Sequence, residues 1–516
     1  MPRALISVYD KTGIVEFAES LINIGWDVVA SSGTAQVLRE AGLNVTPVEQ
    51  LTGTPEILGR RVKTLHPAIH AGILARDTQQ DLDQLAQIGY APISMVVCNL
   101  YPFQARATSH GASLQDAIEY IDIGGETLLR AAAKNFFHVI VICSPDDYEV
   151  VFNILRVNSL VDLALKRDLA VKAFAYTRDY DTAIHAFLAR GRRTQTGIHA
   201  VIDELPEKLS LGMQRIEMLR HGENPHQRAA YYNHQSSGGP LGGNLLNGKQ
   251  LSYNNIIDLD TAWRTVSAFS AATVAIVKHR MPVGIAEAKS STEAYPRALA
   301  TDTISASGGV IAVNRPVDDA FVNILGILFL EAIAAPSFSE SALQLLASKR
   351  PNCSLLSIPQ PHDGSEPELR TVHKGLLVQT SDTGDPEGKI LKTVTQRVPT
   401  VEELNSLQFA WQAVQHVKSN SIVLAVGGMT VGISGGLPNR VDAVELALAK
   451  AGDRVKGAVM ASDGFFSDTA TLEIAINAGV TAVIQPGGSI RDGEIISAAN
   501  MAGMAMVHTG TWHLRH

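Results

Sequence analysis

Over the first 150 or so residues, short and nearly uniform apolar runs alternate with amphipathic stretches. That alternation predicts a parallel α/β sheet. ALISVYD reads as a strand followed by a helix over TGIVEFAESLINIG; DVVAS is the next strand and TAQVLREAG the next helix. SMVVCNLY and HVIVIC are β-branched and apolar at nearly every position, as strands buried on both faces are. Residues 147–190 carry a mostly helical pattern, after which the period is lost. The mixed polar, Pro and Gly stretch at 196–212 reads as a linker between a domain at 1–195 and a second at 213–516. In that second part TVAIVKH, GGVIAVN, SIVLAV, GAVMAS and TAVIQP are strand signals with helices between them. A Pro- and Gly-containing segment near 357–390 divides these signals into two α/β subdomains. No short-period repeat is visible, which argues against solenoids and propellers.

Composition narrows the class. A chain of 516 residues exceeds one ordinary core, and 46% hydrophobic against 18% charged residues suits well-packed domains rather than disorder. The net charge of −8 offers no global attraction to nucleic acid or an anionic membrane. An anionic ligand must then be held by local basic side chains or backbone N–H groups. Three widely spaced cysteines, Cys98, Cys143 and Cys353, suit a reducing compartment and form no CxxC zinc pair. The start of the chain lacks the apolar core of a signal peptide, and no apolar run reaches the ~20 residues a bilayer span needs. A soluble, cytoplasmic protein is expected.

Four stretches carry candidate chemistry. SSGTA (31–35) follows a strand and opens a helix, so it is either a plain N-cap or a phosphate cradle of hydroxyls and N–H groups. GRRVKTLHPAIHAG (59–72) supplies Arg61, Lys63, His66 and His70. Pro67 between the histidines spoils a regular turn and no acidic ligand follows, which disfavours zinc and favours a basic loop, with a solvated charged turn as the plain alternative. NLYPF (99–103) stands at a strand's carboxyl end, where parallel sheets form ligand crevices. IDIGGETLLRAAAKN (121–135) sets Asp122 before a Gly-Gly turn and Lys134 about two and a half helical turns beyond it. Separately, AIVKHRMPVG (275–284) ends an apolar strand on Lys278, His279 and Arg280, a basic strand end or a catalytic pair.

Together with RHGENPHQ, LSYNNIIDLD, KSNSIV, NRVDAV, ASDGFF, QPGGSIRD and HTGTWHLRH, these stretches resemble, in order and over nearly the whole chain, the AICAR transformylase/IMP cyclohydrolase family of purine biosynthesis. The resemblance implies a methylglyoxal-synthase-like parallel α/β domain followed by two cytidine-deaminase-like α/β subdomains. It implies two reactions: formyl transfer from 10-formyltetrahydrofolate, as cosubstrate, to an aminoimidazole-carboxamide ribotide, then dehydrative ring closure. By the same resemblance Lys63, Tyr101, Asp122 and Lys134 handle protons and charge in ring closure. Lys11, Ser31, Gly33, Thr34, Arg61, Thr64, Asn99 and Gly124 hold its substrate. Lys278, His279 and Asn420 serve formyl transfer, with Arg220, His221, Asp302, Arg440 and Phe465 binding its substrates. The implied partners are purine ribotides, folate and a second copy in a homodimer, with no metal and no nucleic acid. The deaminase zinc signature pairing His-x-Glu with Pro-Cys-x-x-Cys is absent, which argues against deamination.

The chain departs from the family pattern at Ser32 and Gln36, and at His221, Met281, Ser307, Leu437, Ala470 and Trp512. An arginine for the ribotide phosphate is expected at the last of these. Two other readings follow: an enzyme that only cyclises, its second half a dimer scaffold, or a ribotide-binding regulator. The regulator requires loss of Lys63, Tyr101, Asp122 or Lys134, and all four are present.

Overall fold

The computed structural model describes residues 1–59, 61–103, 114–158, 160–189, 205, 208–209, 211–233, 238–359, 361–362, 364 and 366–516. The expected linker at 196–212 therefore lies mostly outside the described residues. Two compact units emerge, Met1–Gly212 and Met213–His516.

The first unit holds a five-stranded parallel sheet. Its early elements are β1 (Arg3–Val8), α1 (Ile14–Asn23), β2 (Asp27–Ala30), α2 (Ser32–Glu40), β3 (Thr46–Pro47), α3 (Val48–Thr52), α4 (Pro67–Leu74) and α5 (Gln79–Gln87). They are followed by β4 (Met95–Asn99), α6 (Leu114–Glu119), α7 (Gly124–Lys134), β5 (Ile140–Ile142), α8 (Tyr148–Asn158) and α9 (Leu163–Ala189). Strand order is β3-β2-β1-β4-β5. The chain winds outward from β1 to β3, then returns to place β4 on the other side of β1. That reversal opens a crevice at the carboxyl ends of β1 and β4. The apolar runs are strands because both faces are covered: Leu5, Ile6, Val96, Val97, Val141 and Ile142 join one core with α1, α7 and α9.

The second unit opens with a hairpin, β6 (Gln214–Leu219) and β7 (Ala229–Asn233), then β8 (Asn244–Asn247). Next comes α10 (Tyr253–Ser267), β9 (Ala272–Lys278), β10 (Met281–Ala288), α11 (Ser291–Leu299), β11 (Gly309–Val313), α12 (Asp319–Ile324), β12 (Leu330–Ala335), α13 (Glu340–Lys349) and β13 (Ser354–Ser357). A small hairpin, β14 (Glu368–Val372) with β15 (Gly375–Gln379), and β16 (Lys392–Thr393) intervene. Then α14 (Val401–Val414), β17 (Ile422–Val426), β18 (Met429–Ser434), α15 (Arg440–Ala451), β19 (Val459–Ser462), α16 (Ala470–Ala478), β20 (Ala482–Gln485), α17 (Asp492–Met501) and β21 (Ala505–His508) complete it.

The order from α10 to β13 is repeated from α14 to β21. Pairing repeats too: β9 and β17 each pair antiparallel with the next strand in the chain and with β11 or β19, and two parallel strands follow. The halves meet where β10 pairs antiparallel with β18 at Ala286 and Met429, making one mixed twelve-stranded sheet. Thr430 seals the seam, its hydroxyl donating to the Ile285 carbonyl at 3.0 Å and accepting the Ile285 N–H at 3.0 Å. Alternate strand residues explain the unbroken apolar runs. Ala275, Val277, Val423 and Ala425 face a core shared with α10 and α14, while Val274 and Ile276, or Ile422 and Leu424, face each half's own core. Among the described residues no helix is long and apolar enough to cross a membrane.

Candidate active sites at two strand ends

In the first unit, Asn99 ends β4 opposite Val8, the last residue of β1. Its Oδ1 accepts the N–H groups of Tyr9 and Asp10 at 2.6 and 2.9 Å, and its Nδ2 donates to the Asp10 carbonyl at 3.1 Å. These bonds fold the loop after β1 over the crevice. Lys11 from that loop turns back, its Nζ donating to the Val8 carbonyl and to Thr34 Oγ1 at 3.3 Å. Ser31 precedes α2 and is buried, yet its hydroxyl makes no cap bond to the helix. The plain N-cap reading of SSGTA therefore fails for the Ser31 side chain.

Lys63 and Tyr101 meet across the crevice, Nζ donating to Oη at 3.3 Å, with Tyr9 edge-on to the Tyr101 ring at 5.3 Å. Asp122 sits before α7 and accepts the Gly125 N–H at 2.7 Å. A Cβ on Gly125 would stand 2.6 Å from Asp122 Oδ2, and one on Gly124 2.8 Å from Thr64 Oγ1, so the glycine pair lets the helix end approach both groups. A cavity of about 160 Å³ is lined by Lys11, Ser31, Thr34, Lys63, Tyr101 and Asp122 among others. Burial pushes the Asp122 carboxyl above its ordinary range, partly offset by the Gly125 N–H and the Lys63 charge. Burial and the neighbouring Lys63 ammonium both lower Lys11.

Strand directions organise the second unit. With β9, β10, β18 and β17 successively antiparallel, the end of β9 and the start of β17 lie at the same edge of the sheet. The starts of β10 and β11 and the ends of β18 and β19 lie there too. Lys278 Nζ, at the end of β9, donates to the Ser307 carbonyl at 2.6 Å. His279 and Arg280 form the exposed two-residue turn into β10. Asn420 Nδ2 donates to the Leu437 and Pro438 carbonyls, both at 3.1 Å. Arg440 reaches the fully buried Asp463 at 2.8 Å and the Phe465 carbonyl at 3.0 Å. Trp512 stands edge-on to Phe465 at 4.7 Å. Ser419, Asn420, Leu437, Arg440, Phe465 and Trp512 line part of a cavity of about 520 Å³.

Two family models match: the MGS-like domain over residues 13–127 and the AICARFT/IMPCHase bienzyme over residues 132–450. Relatives named bifunctional purine biosynthesis protein PurH align end to end. That of Desulfitobacterium hafniense (strain DSM 10664 / DCB-2) is 44% identical over 519 residues, covering 100% of this chain and 99% of its own. Those of Halalkalibacterium halodurans and Chloroflexus aurantiacus are 45% and 47% identical, covering 100% of this chain and 99% and 98% of theirs. The chain belongs to the AICARFT/IMPCHase bienzyme family.

Of the residues that the family resemblance singles out, Lys11, Ser31, Gly33, Thr34, Lys63, Thr64, Asn99, Tyr101 and Asp122 line the first cavity, and Gly124 adjoins it. Arg61 does not; it is exposed and ion-paired with Glu119. Lys134 is exposed at the far end of α7, about 15 Å along the helix from Gly124. Pro67 starts a helix where the sequence suggested a spoiled turn: it takes the first position of α4, with His66 Nδ1 accepting the Ala68 N–H at 3.1 Å.

In the second unit Asn420, Arg440 and Phe465 line the cavity, but Lys278 and His279 do not. Three strand spacings, about 14 Å, separate the β9 and β17 ends. Asp302 is held by Ser305 and lies 3.5 Å from Lys450; Arg220 is exposed, and His221 Nδ1 contacts the Gly222 carbonyl at 2.8 Å. Two family-departing positions contribute main chain, Ser307 to Lys278 and Leu437 to Asn420. Sequence reasoning missed the buried carboxylates of Asp258 and Asp463. The available signal for Asp258 was its place on the apolar stripe of its helix, four and eight residues before Ala262 and Val266.

Proposed function

We propose that the first unit closes a purine ring and the second transfers the formyl group that makes this closure possible. In the second unit the 5-amino nitrogen of an aminoimidazole-carboxamide ribotide attacks the formyl carbon of 10-formyltetrahydrofolate. Its proton goes to His279, and the formyl oxygen gathers negative charge beside Lys278. As the tetrahedral intermediate collapses, the folate C–N bond breaks and the leaving nitrogen takes that proton back from His279. Asn420 orients the ribotide, with Arg440 and Phe465 binding beside it.

In the first unit the carboxamide nitrogen attacks its own formyl carbon. Asp122 takes the nitrogen's proton, and the Lys63–Tyr101 pair gives one to the formyl oxygen. Asp122 then returns its proton to the resulting hydroxyl, which leaves as water while the former formamido N–H proton goes back to the Lys63–Tyr101 pair, yielding inosine monophosphate. Lys11, Ser31, Gly33 and Thr34 hold the phosphate at the start of α2. The working form is a cytoplasmic homodimer. A second copy there supplies what one chain separates by three strands at the formyl-transfer edge.

One observation carries the reading. A single buried crevice gathers a carboxylate of raised pKa, a lysine–tyrosine pair and an uncapped helix start, the parts that an intramolecular condensation of a phosphorylated substrate requires. The test supplies the ribotide and 10-formyltetrahydrofolate at saturation and follows inosine monophosphate. Cyclisation of the preformed formyl-ribotide without formyl transfer would reject the bifunctional reading.

A further inference from the structure

His279 and Arg280 occupy a conformation that their side chains disfavour. Lys278 pairs with Met281, so these two residues alone turn β9 into β10, with φ of 55° and 61°. Positive φ at both central positions marks a type I′ hairpin turn, where Asn-Gly or Gly-Gly is the usual content. The second half of the sheet has the same turn between Val426 and Met429, and there it is Gly427–Gly428, with φ of 52° and 75°. The repeat thus supplies an internal reference for what the turn needs when it carries no side chains.

The helices beneath the two turns differ at one equivalent position. Each begins with a capping box, on Ser252 and on Thr400, and the sixth helical residue lies under the turn. In the second half this is Ser406, whose Oγ accepts one N–H, from Gly427 at 3.0 Å. In the first it is Asp258, whose two oxygens accept both turn amides: His279 N–H at 3.1 Å and Arg280 N–H at 2.6 Å. Asp258 is only 7% exposed, so little water competes for those bonds. A buried carboxylate receiving both N–H groups is the element that the glycine turn does without.

We propose that Asp258 is a positioning residue for formyl transfer: its carboxylate clamps the His279–Arg280 turn in the left-handed conformation and so aims the His279 ring from the end of β9. The inference rests on the reading that Lys278 and His279 carry that reaction. It assigns Asp258 no contact with substrate. Its effect passes through the backbone of the turn, so it acts on the orientation of His279 and not on ribotide affinity.

The test measures formyl transfer and cyclisation on the full chain for Asp258→Asn, Asp258→Ala and Asp258→Ala combined with Arg280→Gly. Losing one or both charge-assisted bonds lowers formyl-transfer kcat about tenfold in the first variant and about a hundredfold in the second. KM for the ribotide stays within about twofold, and cyclisation serves as the control for folded enzyme. Glycine at 280 adopts the turn unaided, so the double variant recovers about fivefold or more over Asp258→Ala, judged against Arg280→Gly alone. A fall below twofold in Asp258→Ala, or strictly additive effects with Arg280→Gly, overturns the proposal. Hydrogen exchange at the 279 and 280 amides reads the clamp without any turnover: protection lost in Asp258→Asn supports it, and unchanged protection overturns it. A wild-type chain without formyl transfer would sink the proposed function, while the exchange result would still decide the clamp.

Discussion

The two halves of the twelve-stranded sheet share an order of elements, a pairing scheme and capping boxes on their first helices, yet their central hairpins turn on different residues. Gly427–Gly428 adopts positive φ at no steric cost, whereas His279–Arg280 does so against a penalty of about 1–2 kcal/mol per residue. A fold that needs only a turn uses the glycines. The turn that carries side chains retains the strain, and both of its amides donate to the buried Asp258 carboxylate. Equivalent positions in one architecture therefore reach the same turn by two routes, glycine's conformational freedom and amide hydrogen bonds to a buried carboxylate.

That contrast can be broken most sharply at the turn of the first half. Lys278→Ala and His279→Ala are each expected to lower formyl transfer by about 10²–10⁴-fold with cyclisation near wild type. Equal loss of both activities would instead mark the pair as structural. The next largest effects concern stability and have opposite signs at matching positions. Gly428→Ala should cost about 1–2 kcal/mol, because its φ is 75° and a Cβ would stand 3.1 Å from Glu287 Cγ. Arg280→Gly should stabilise by about 1 kcal/mol by removing the left-handed penalty, both variants being compared with wild type by urea titration. Destabilisation at both sites would refute the assigned strain.

Ser406→Ala tests the weaker partner of Asp258. It should cost about 1 kcal/mol of unfolding free energy and leave formyl transfer unchanged, since Gly427 keeps its conformation without the bond.

The smallest expected effect is in the second half's C-terminal tail. His513 is buried, which alone would lower its pKa, but its hydrogen bond to Asp382 at 2.7 Å and the approach of Asp385 outweigh this and raise it. A histidine raised on folding contributes stability below its unfolded pKa and loses that contribution as pH rises through the folded value. Unfolding free energy should therefore decline modestly from about pH 6.5 upward. Asp382→Asn should flatten that slope, as followed by denaturant titration across pH.

Much of this was legible in advance. The first crevice was readable because most of its residues come from segments that follow β1, β2 and β4, with Lys63 and Thr64 added from the connection between α3 and α4. A parallel sheet gathers the carboxyl ends of its strands by rule. Lys134 was not, since the same helix that brings Asp122 to the crevice carries its other end about 15 Å away. In the second unit the strongest apolar runs announced β9, β11, β17, β19 and β20. The seam strands β10 and β18 were obscured, each interrupted by glycine or polar residues such as Thr430, whose partner lies across the seam.

The amino-acid sequence by itself determined the α/β class, the family, the buried strands and most residues of the first crevice. Local pattern suffices there, because burial on both faces writes apolar runs directly into a strand. Tertiary structure alone decided that the two α/β subdomains share one sheet across the β10–β18 seam, that Asn420 stands three strands from Lys278, and that Asp258 underlies His279. Those facts depend on pairings between segments far apart in the chain, and the Asp258 bonds go to backbone N–H groups, which every residue but proline possesses and no sequence pattern can mark.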